Sequence, residues 1–327
     1  MQSRTRIGRT RILAAAALLS AAMASAGARG DDYPSKVIRI VNPFPVGGST
    51  DVLARGLAQK LTEYLGQSVI VESRPGANGI LAAGAMAKAP PDGYAFLFTT
   101  GSHTANPHVA KDLPYDALKD FAPITQLAGS YGLALISNLP VKSAAELVEL
   151  ARKKPGQLSY ATSGVGNLTH VAGRLFEVRA GIQMIAVPYN TPALMTDTIA
   201  GTVDMTFIST ISAVPLVNSG QIKALAITGP QRSPGLPNTP TLQELGYKDF
   251  DLTGYFGTLF PANTPRERVD RIYRETIRAL ATPEIKRLIE DAGLYVVGSS
   301  PDEFAAFLKK DFDYQGRLMD ELGLRNK

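Results

Sequence analysis

The sequence predicts an α/β protein of two lobes, each an open and mostly parallel sheet flanked by helices, with a cleft between the lobes. Three observations carry this. Residues 37–99 alternate strand, helix, strand, helix, strand, which is the grammar of an open parallel sheet. Residues 158–209 repeat that alternation after a long extended crossing. The chain of 327 residues is roughly twice an ordinary domain of about 150.

Val37, Ile38, Ile40 and Val41 supply the first strand. Pro43 and Pro45 end it, because proline has no N–H to give a sheet. Gly47 and Gly48 permit φ > 0 and a close approach to the backbone. Ser49 or Thr50 is expected to cap the next helix, with Asp51 in its first turn. That helix, residues 51–65, sets Ala54, Leu57, Ala58, Leu61 and Leu65 on one face and Arg55, Gln59, Lys60 and Glu63 on the other. Gly66 stops it. Residues 68–73 form a second strand, 75–79 a loop, 80–88 a small-residue helix and 94–99 a third strand. The third strand runs into a second small polar loop, Thr100-Gly101-Ser102-His103.

Residues 121–137 are extended and read as the first crossing into the second lobe. Ser143 and Glu146 make a capping box for a helix that stops at Pro155. A strand over 158–162 enters Ser163-Gly164-Val165-Gly166-Asn167, a glycine-bearing loop before a helix over 168–180. Strands over 183–189, 205–209 and 222–228, with a helix over 193–200, complete this lobe. Residues 254–260 re-enter the first lobe. Thr264-Pro265, Thr282-Pro283 and Ser300-Pro301 each place a cap residue before a first-position proline and start the three closing helices. The lobes are therefore 29–128 with 250–327, and 129–249.

Residues 1–28 read as a targeting segment. Arg4, Arg6, Arg9 and Arg11 precede a short apolar run from residue 12 to 23, and Ala24-Ser25-Ala26 and Ala26-Gly27-Ala28 are small-residue cleavage sites. Export to a bacterial periplasm is expected. These arginines account for four of the five formal positive charges, so the mature chain sits near neutrality. No basic patch remains for nucleic acid or membrane. The absence of cysteine excludes disulfides, thiolate metal sites and a cysteine nucleophile.

Enzyme motifs are missing: no Gly-x-Ser-x-Gly elbow, no His-Glu-x-x-His, no phosphate-binding Walker loop. His103 and His108 are five apart, which is not the one-face spacing of a metal pair. His170, just inside a helix, reads as a structural hydrogen-bonding residue. No metal, cofactor or catalytic residue is expected. The informative feature is a pair of small-residue loops, one in each lobe, at helix N-termini. Such ends leave N–H groups aimed at one point and favour an anion. In open parallel sheets ligands sit at the carboxyl ends of strands, so Thr100 and Ser102 face the same crevice as the Gly47-Gly48 turn. Three or four charge-assisted hydrogen bonds of about 1.5–3 kcal/mol each, less the ordering costs, reach micromolar binding. Neither loop holds Lys or Arg. Asp51 either caps its own helix, the preferred reading, or holds a water or a ligand amino group. Phe44 and Tyr255 either line the pocket or fill core, and Tyr189 is a reasonable cleft residue.

Tyr33-Pro34-Ser35-Lys36, Pro43-Phe44-Pro45-x-Gly47-Gly48-x-x-Asp51, Glu72-Ser73-Arg74-Pro75-Gly76-Ala77, Pro91-Asp92-Gly93-Tyr94 and Leu113-Pro114-Tyr115-Asp116 form a combined signature. It continues through Asp120-Phe121-Ala122-Pro123, Val187-Pro188-Tyr189, Ala224-Leu225-Ala226, Arg232-Ser233-Pro234 and Pro261-Ala262-Asn263-Thr264-Pro265. Across essentially the whole mature chain this resembles the Bug-type (TctC-like) periplasmic solute receptors of tripartite tricarboxylate transporters. The resemblance implies a two-lobed periplasmic binding protein, type II-like, that closes over a small organic carboxylate and docks on membrane permease subunits. It implies a grip by the loop from Phe44 to Thr50 and by the loop from Thr162 to Asn167. The candidate ligand-binding residues are then Phe44, Val46, Gly47, Gly48, Ser49, Thr50, Thr100, Ser102, Thr162, Ser163, Gly164, Gly166, Asn167, Tyr189 and Ser209. A monomer without nucleic-acid partners is expected.

Departures from the family pattern bear on the ligand. Ile208-Ser209 stands where an Asp or Asn is frequent, Val165 and Leu168 where small polar residues are usual, and Asn190-Thr191-Pro192 is one residue shorter than its counterpart. The second wall is less polar than is usual in the family, which points to a mono- or dicarboxylate with an apolar or aromatic body. Two rival readings share the fold: a ligand sensor for a membrane signalling kinase, and an enzyme built on this scaffold around His103 and His170.

Overall fold

The computed structural model describes residues 33–163, 168–189 and 193–325. The chain divides into two compact units, Met1–Lys36 and Val37–Lys327. The described residues of the first, 33–36, carry neither helix nor strand; the expected targeting segment lies outside the described residues. Every described helix and strand belongs to the second unit.

The strands in chain order are β1 (Ile38–Asn42), β2 (Val69–Ser73), β3 (Ala95–Thr100), β4 (Phe121–Ser130), β5 (Leu133–Ser137), β6 (Ser159–Thr162), β7 (Ile185–Pro188), β8 (Met205–Ser209), β9 (Lys223–Ile227), β10 (Tyr255–Pro261) and β11 (Leu294–Val296). The helices are α1 (Ser49–Leu65), α2 (Ile80–Ala87), α3 (Ser102–Val109), α4 (Ala144–Lys153), α5 (Leu168–Ala180), α6 (Ala193–Ala200), α7 (Thr210–Asn218), α8 (Arg266–Leu280), α9 (Pro283–Asp291) and α10 (Pro301–Glu321). They build two sheets, in the order β11-β4-β10-β3-β1-β2 and β7-β6-β8-β5-β9. In the first, β2, β1 and β3 are mutually parallel, and β10 runs antiparallel between β3 and β4. In the second, β7, β6 and β8 are parallel, and β5 opposes β8 and β9. The one opposed strand in the interior of each sheet, β10 or β5, is the strand by which the chain enters it after crossing from the other.

The strand residues explain this layering. Ile38, Ile40, Phe96 and Phe98 are buried, and so are their neighbours Val41 and Leu97 on the opposite face. Near-continuous apolar strands of this kind need helices on both faces. On one face Val41, Leu97 and Tyr255 pack with Ala82 and Met86 of α2 and Phe304 and Leu308 of α10. The second sheet packs Leu135, Tyr160 and Phe207 against Leu147 of α4 and Leu175 and Phe176 of α5. Leu318 and Met319 of α10, with Leu322 just beyond it, join that second core. The last helix therefore begins in one core and ends in the other. Arg179 of α5 donates to the Glu321 carboxylate and fastens that end.

Two crossings join the sheets, at residues 131–132 and 252–254, and they run side by side. The Thr228 hydroxyl accepts from Leu133 N at 2.8 Å and donates to Leu252 O at 2.8 Å. Ser130 and Gly254 pair through Ser130 N to Gly254 O, 2.8 Å, and Gly254 N to Ser130 Oγ, 2.7 Å.

Several local expectations are corrected. Helix α1 starts at Ser49, so Gly48 occupies the cap position, and neither Ser49 nor Thr50 does. Ser102 and His103, read as part of a loop, begin α3, which tolerates Pro107 in its last turn. Thr264 does not cap α8: its hydroxyl donates to Pro261 O at 2.8 Å, and Pro265 takes the cap position. Thr282 and Ser300 do cap α9 and α10, the latter with the complete Ser300–Glu303 box. Helix α7 and strand β11 were not anticipated; both are short and lack the periodic signal that marks longer elements.

Candidate ligand-binding cleft

β1, β2 and β3 are parallel, so their carboxyl ends lie at one edge of the first sheet. Each feeds a helix through a turn whose cap position is a glycine: Gly48 before α1, Gly79 before α2, Gly101 before α3. In none of the three does a side chain cap the helix. Ser143, Thr282 and Ser300, by contrast, cap α4, α9 and α10 through their hydroxyls. The first N–H groups of a helix have no partner within it. At α1 and α3 the glycine caps add no side-chain partner for them, whereas at α2 a preceding single turn already takes the first of them, Ile80 N bonding Ala77 O. Gly79 is held at φ 90°, and a Cβ there would lie 3.2 Å from Pro43 Cβ, so glycine lets the second turn settle against the first.

Asp51 closes the first turn from behind. Its Oδ2 accepts from Gly47 N at 3.1 Å and from Arg55 Nε at 2.9 Å. The Arg55 bond holds the Asp51 carboxyl below the usual carboxylate range, against the upward push of burial. Oδ2 thus plays the helix-start role, and Oδ1 is buried beside it.

Two cavities open along this edge. The larger, about 770 Å³, lies between Pro43-Phe44-Pro45, the turn from Pro75 to Ile80, Asn106 of α3 and Ser163 after β6. The smaller, about 260 Å³, is walled by Thr100, Gly101, Ser102 and Ala105, by Leu168 and Val171 of α5, by Tyr255 and Phe256, and by Gln315 and Met319 of α10. Asn78 lines both, so the two cavities adjoin at this residue. It sits in the left-handed region at φ 52°, ψ 35°. A reciprocal pair of bonds with Asn106 holds it there: Asn78 Nδ2 to Asn106 Oδ1 at 3.0 Å, and Asn106 Nδ2 to Asn78 O at 3.1 Å. Thr100 and Ser102 hydroxyls are 3.1 Å apart. No described lining residue of either cavity is charged. The chemistry on offer is hydrogen bonding from amides and hydroxyls beside apolar walls.

Of the residues expected from the sequence, Phe44, Thr100, Ser102 and Ser163 line these cavities. Val46, Gly47, Gly48 and Ser49 are exposed on the same turn as Phe44, and Thr50 is buried beneath it. Thr162 is buried at the end of β6, where its carbonyl accepts from Tyr189 N at 2.8 Å. Gly164, Gly166 and Asn167 lie outside the described residues. Tyr189 lines neither cavity; its hydroxyl donates to Asp197 Oδ2 at 2.8 Å. Ser209 holds the cap position of α7, next to Thr210, which lines a separate cavity of about 540 Å³ with Tyr131, Ile211 and Gly293. Tyr255, for which the sequence allows core or pocket, is both buried and part of the smaller cavity.

Among the residues missed are Asn78, Asn106, Val171, Phe256, Gln315 and Met319. One signal was available. Phe304, Leu308, Met319 and Leu322 mark the buried stripe of the last helix, and Asp311 and Gln315 interrupt it at positions where apolar residues belong. Polar residues at core positions mark either a fault or a function.

The three histidines are core residues. His103 Nε2 is 2.8 Å from Ala117 O, with its ring stacked on Tyr115 and edge-on to Phe121. Burial pushes its pKa down to about 4. His108 Nε2 is 2.9 Å from Phe312 O, and burial lowers the pKa of both His108 and His170. None of them lines either cavity. Among the described residues, no group of three or more His, Asp or Glu is placed to hold a metal ion.

Comparison with known proteins fits this geometry. The chain is 30% identical over 325 residues to protein BugT of Bordetella pertussis, covering 97% of this chain and 99% of BugT. It superposes on the structure of R. palustris Rpa4515 with adipate at a TM-score of 0.77 and 31% identity, covering 90% of this chain and 100% of that one. It superposes on MatC (Rpa3494) from Rhodopseudomonas palustris with bound malate at a TM-score of 0.72 and 27% identity, covering 88% and 99%. Residues 53–324 match the model of the tripartite tricarboxylate transporter family receptor, TctC. The chain belongs to the TctC family of tripartite tricarboxylate transporter receptors.

Proposed function

We propose that this protein is a periplasmic receptor that captures a small organic carboxylate at the edge shared by β1, β2 and β3 and delivers it to the permease subunits of a tripartite tricarboxylate transporter. It binds its guest and does not transform it. The observation that carries this reading is a pair of adjoining cavities at the edge shared by β1, β2 and β3, one lined by Gly79 before α2 and the other by Gly101 before α3, with no charge on their described walls. A carboxylate brings the negative charge that such ends favour. The similar structures carrying adipate and malate support the ligand class.

The lobes are residues 29–128 with 250–327, and 129–249, moving about the paired crossings near Thr228. Phe44, Thr100, Ser102 and Ser163 touch the guest, and Val46, Gly47, Gly48, Ser49 and Thr50 present the first turn to it. Thr162, Gly164, Gly166, Asn167, Tyr189 and Ser209 complete the opposing wall as it swings in. Closure brings donors from both sides onto the same oxygens, and their sum of about −8 kcal/mol corresponds to micromolar affinity, tight enough to capture and loose enough to release.

The test is a thermal-shift panel of mono- and dicarboxylates on the mature chain, followed by calorimetry of the best. Ligand at about a thousand times its dissociation constant adds about 4 kcal/mol of stability, a clear rise in melting temperature. A panel in which no carboxylate shifts the transition, while neutral or cationic solutes do, defeats the proposal. Co-purification with permease subunits from detergent-solubilised membranes, lost when the bound acid is removed, tests the partner.

A further inference from the structure

The smaller cavity has a built end. Gln315 is buried, only 7% exposed, yet its side chain forms part of the cavity wall. It lies on α10 between Phe304 and Leu308, which pack in one core, and Leu318 and Met319, which pack in the other. The chamber is thus at the point where the last helix passes from one core to the other. One helical turn before Gln315, Asp311 accepts a hydrogen bond from Thr104 of α3. The Gln315 amide also contacts the Asp311 carboxyl, opposing the upward push of burial on it. Thr104 is fully buried, and its hydroxyl lies 3.5 Å from that of Tyr255. A tie from α3 through Asp311 therefore fixes the amide of Gln315, which keeps donor and acceptor capacity for the chamber. Leu168, Val171, Phe256, Met319 and Ala105 give the chamber an apolar side, and its other polar lining is Asn78, Thr100, Ser102, Thr253 and Tyr255. At about 260 Å³ the space exceeds the engineered cavity of about 150 Å³ that accepts benzene.

We infer that Gln315 is a specificity-determining residue and that the guest is a monocarboxylate with an aliphatic or aromatic body ending in an uncharged polar group, such as a hydroxyl or amide. This rests on the reading of the cleft as a carboxylate site. The carboxylate takes the Gly101-capped start of α3 beside Thr100 and Ser102, the body lies against Leu168, Val171, Phe256 and Met319, and the far group pairs with the Gln315 amide. A second carboxylate is disfavoured at that end. Among the described residues no cation lines the chamber, and the ionisable group that contacts Gln315 from behind, Asp311, is an acid. An amide matches a neutral group that both donates and accepts. Thr104 and Asp311 are positioning residues, acting through Gln315.

The experiment is calorimetric titration of the mature chain with hexanoate, 6-hydroxyhexanoate and adipate, and with benzoate, 4-hydroxybenzoate and terephthalate. The hydroxy acid of one series binds about tenfold more tightly than both its relatives, the size of one buried neutral hydrogen bond. Gln315→Leu brings the hydroxy-to-plain affinity ratio to about one, and Thr104→Val reduces it. The unliganded melting temperature of each variant checks its fold. If Gln315→Leu does not fold, Gln315→Met supplies the same ratio. Carboxylates that bind with no preference for the hydroxy acid, or with a preference that the Gln315 variants retain, overturn this inference and leave the receptor reading intact. No binding by any of the six acids, with binding of uncharged solutes instead, overturns both.

Discussion

Ser49→Pro is the cleanest test of whether backbone N–H groups do the binding. Ser49 is the first residue of α1, a position where proline's fixed φ suits the helix and its missing N–H breaks no intrahelical bond. Gly48 before it is extended at φ −75°, ψ 168°, the conformation that a residue preceding proline prefers. The bonds that shape the turn, Val52 N to Gly48 O at 3.0 Å and Gly47 N to Asp51 Oδ2 at 3.1 Å, do not involve the Ser49 amide. The substitution therefore deletes one donor and keeps the frame. A charge-assisted hydrogen bond is worth about 1.5–3 kcal/mol, so carboxylate affinity falls about 10- to 150-fold. Ser49→Ala keeps the N–H and loses only the hydroxyl, and it binds within a few-fold of the parent. Calorimetric titration of parent, Ser49→Ala and Ser49→Pro with one bound acid, alongside unliganded melting curves, reads this directly. Equal losses in the two variants would show that the hydroxyl carries the contact. No loss in Ser49→Pro, with its melting temperature kept, would refute amide binding by this turn.

Stability falls in acid in part through His103. Its folded pKa of about 4 lies below the unfolded value of about 6.5, so the native state binds fewer protons and loses stability as pH falls through that window, about 2–3 kcal/mol by about pH 4.5. Urea midpoints at about pH 7.5 and about pH 4.5 should differ less in His103→Gln, and an equal difference would count against a neutral buried imidazole. Gly293 sits at φ 63°, and a Cβ there would lie 2.1 Å from Ile211 Cγ1 of α7. Gly293→Ala is expected to cost about 1–3 kcal/mol in urea denaturation, partly recovered in combination with Ile211→Ala; strict additivity of the two would break the argument. Because no described lining side chain is charged, carboxylate affinity should change little between about 50 mM and about 500 mM sodium chloride; a tenfold fall would point to a cationic clamp instead.

The large elements were legible because their signals are long and local. The apolar stripe of α1, the small-residue run of α2, the Ser143 cap, the Ser300 capping box and the apolar runs of β1 and β3 each sit within a few residues, although Glu146 completes no box at Ser143 and accepts from Lys142 N instead. What escaped was decided by contacts distant in sequence. Thr264 looks like a cap beside Pro265, but the Pro261 carbonyl above it takes the hydroxyl first. Residues after Gly101 carry two histidines, an asparagine and a proline and look like loop. They are helical because His103 is gripped by Ala117 O and Asn106 by the turn at Asn78. The cleft was legible on the side where glycines mark strand ends. It was not legible where α10 enters, because nothing local says that a helix at the end of the chain returns to the base of the cleft.

Asp51 looks misplaced: an acid buried at the start of a helix whose N-terminus is to receive an anion. The geometry resolves this. Arg55, four residues on, donates to the same oxygen that accepts from Gly47, so the helix start carries a paired charge and not a bare one. Oδ2 bonds the turn at Gly47 and the guanidinium of Arg55, which is half-exposed and balances the negative charge from the solvent side. On the proposed reading the positive end of the α1 dipole then remains for the guest. A lysine or arginine facing the cleft would hold an anion more strongly but would also bind any anion. On the proposed reading, an uncharged cradle, rigidified from behind by Asp51, would discriminate by shape and by the far end of the guest, where the proposal places Leu168, Val171 and Gln315.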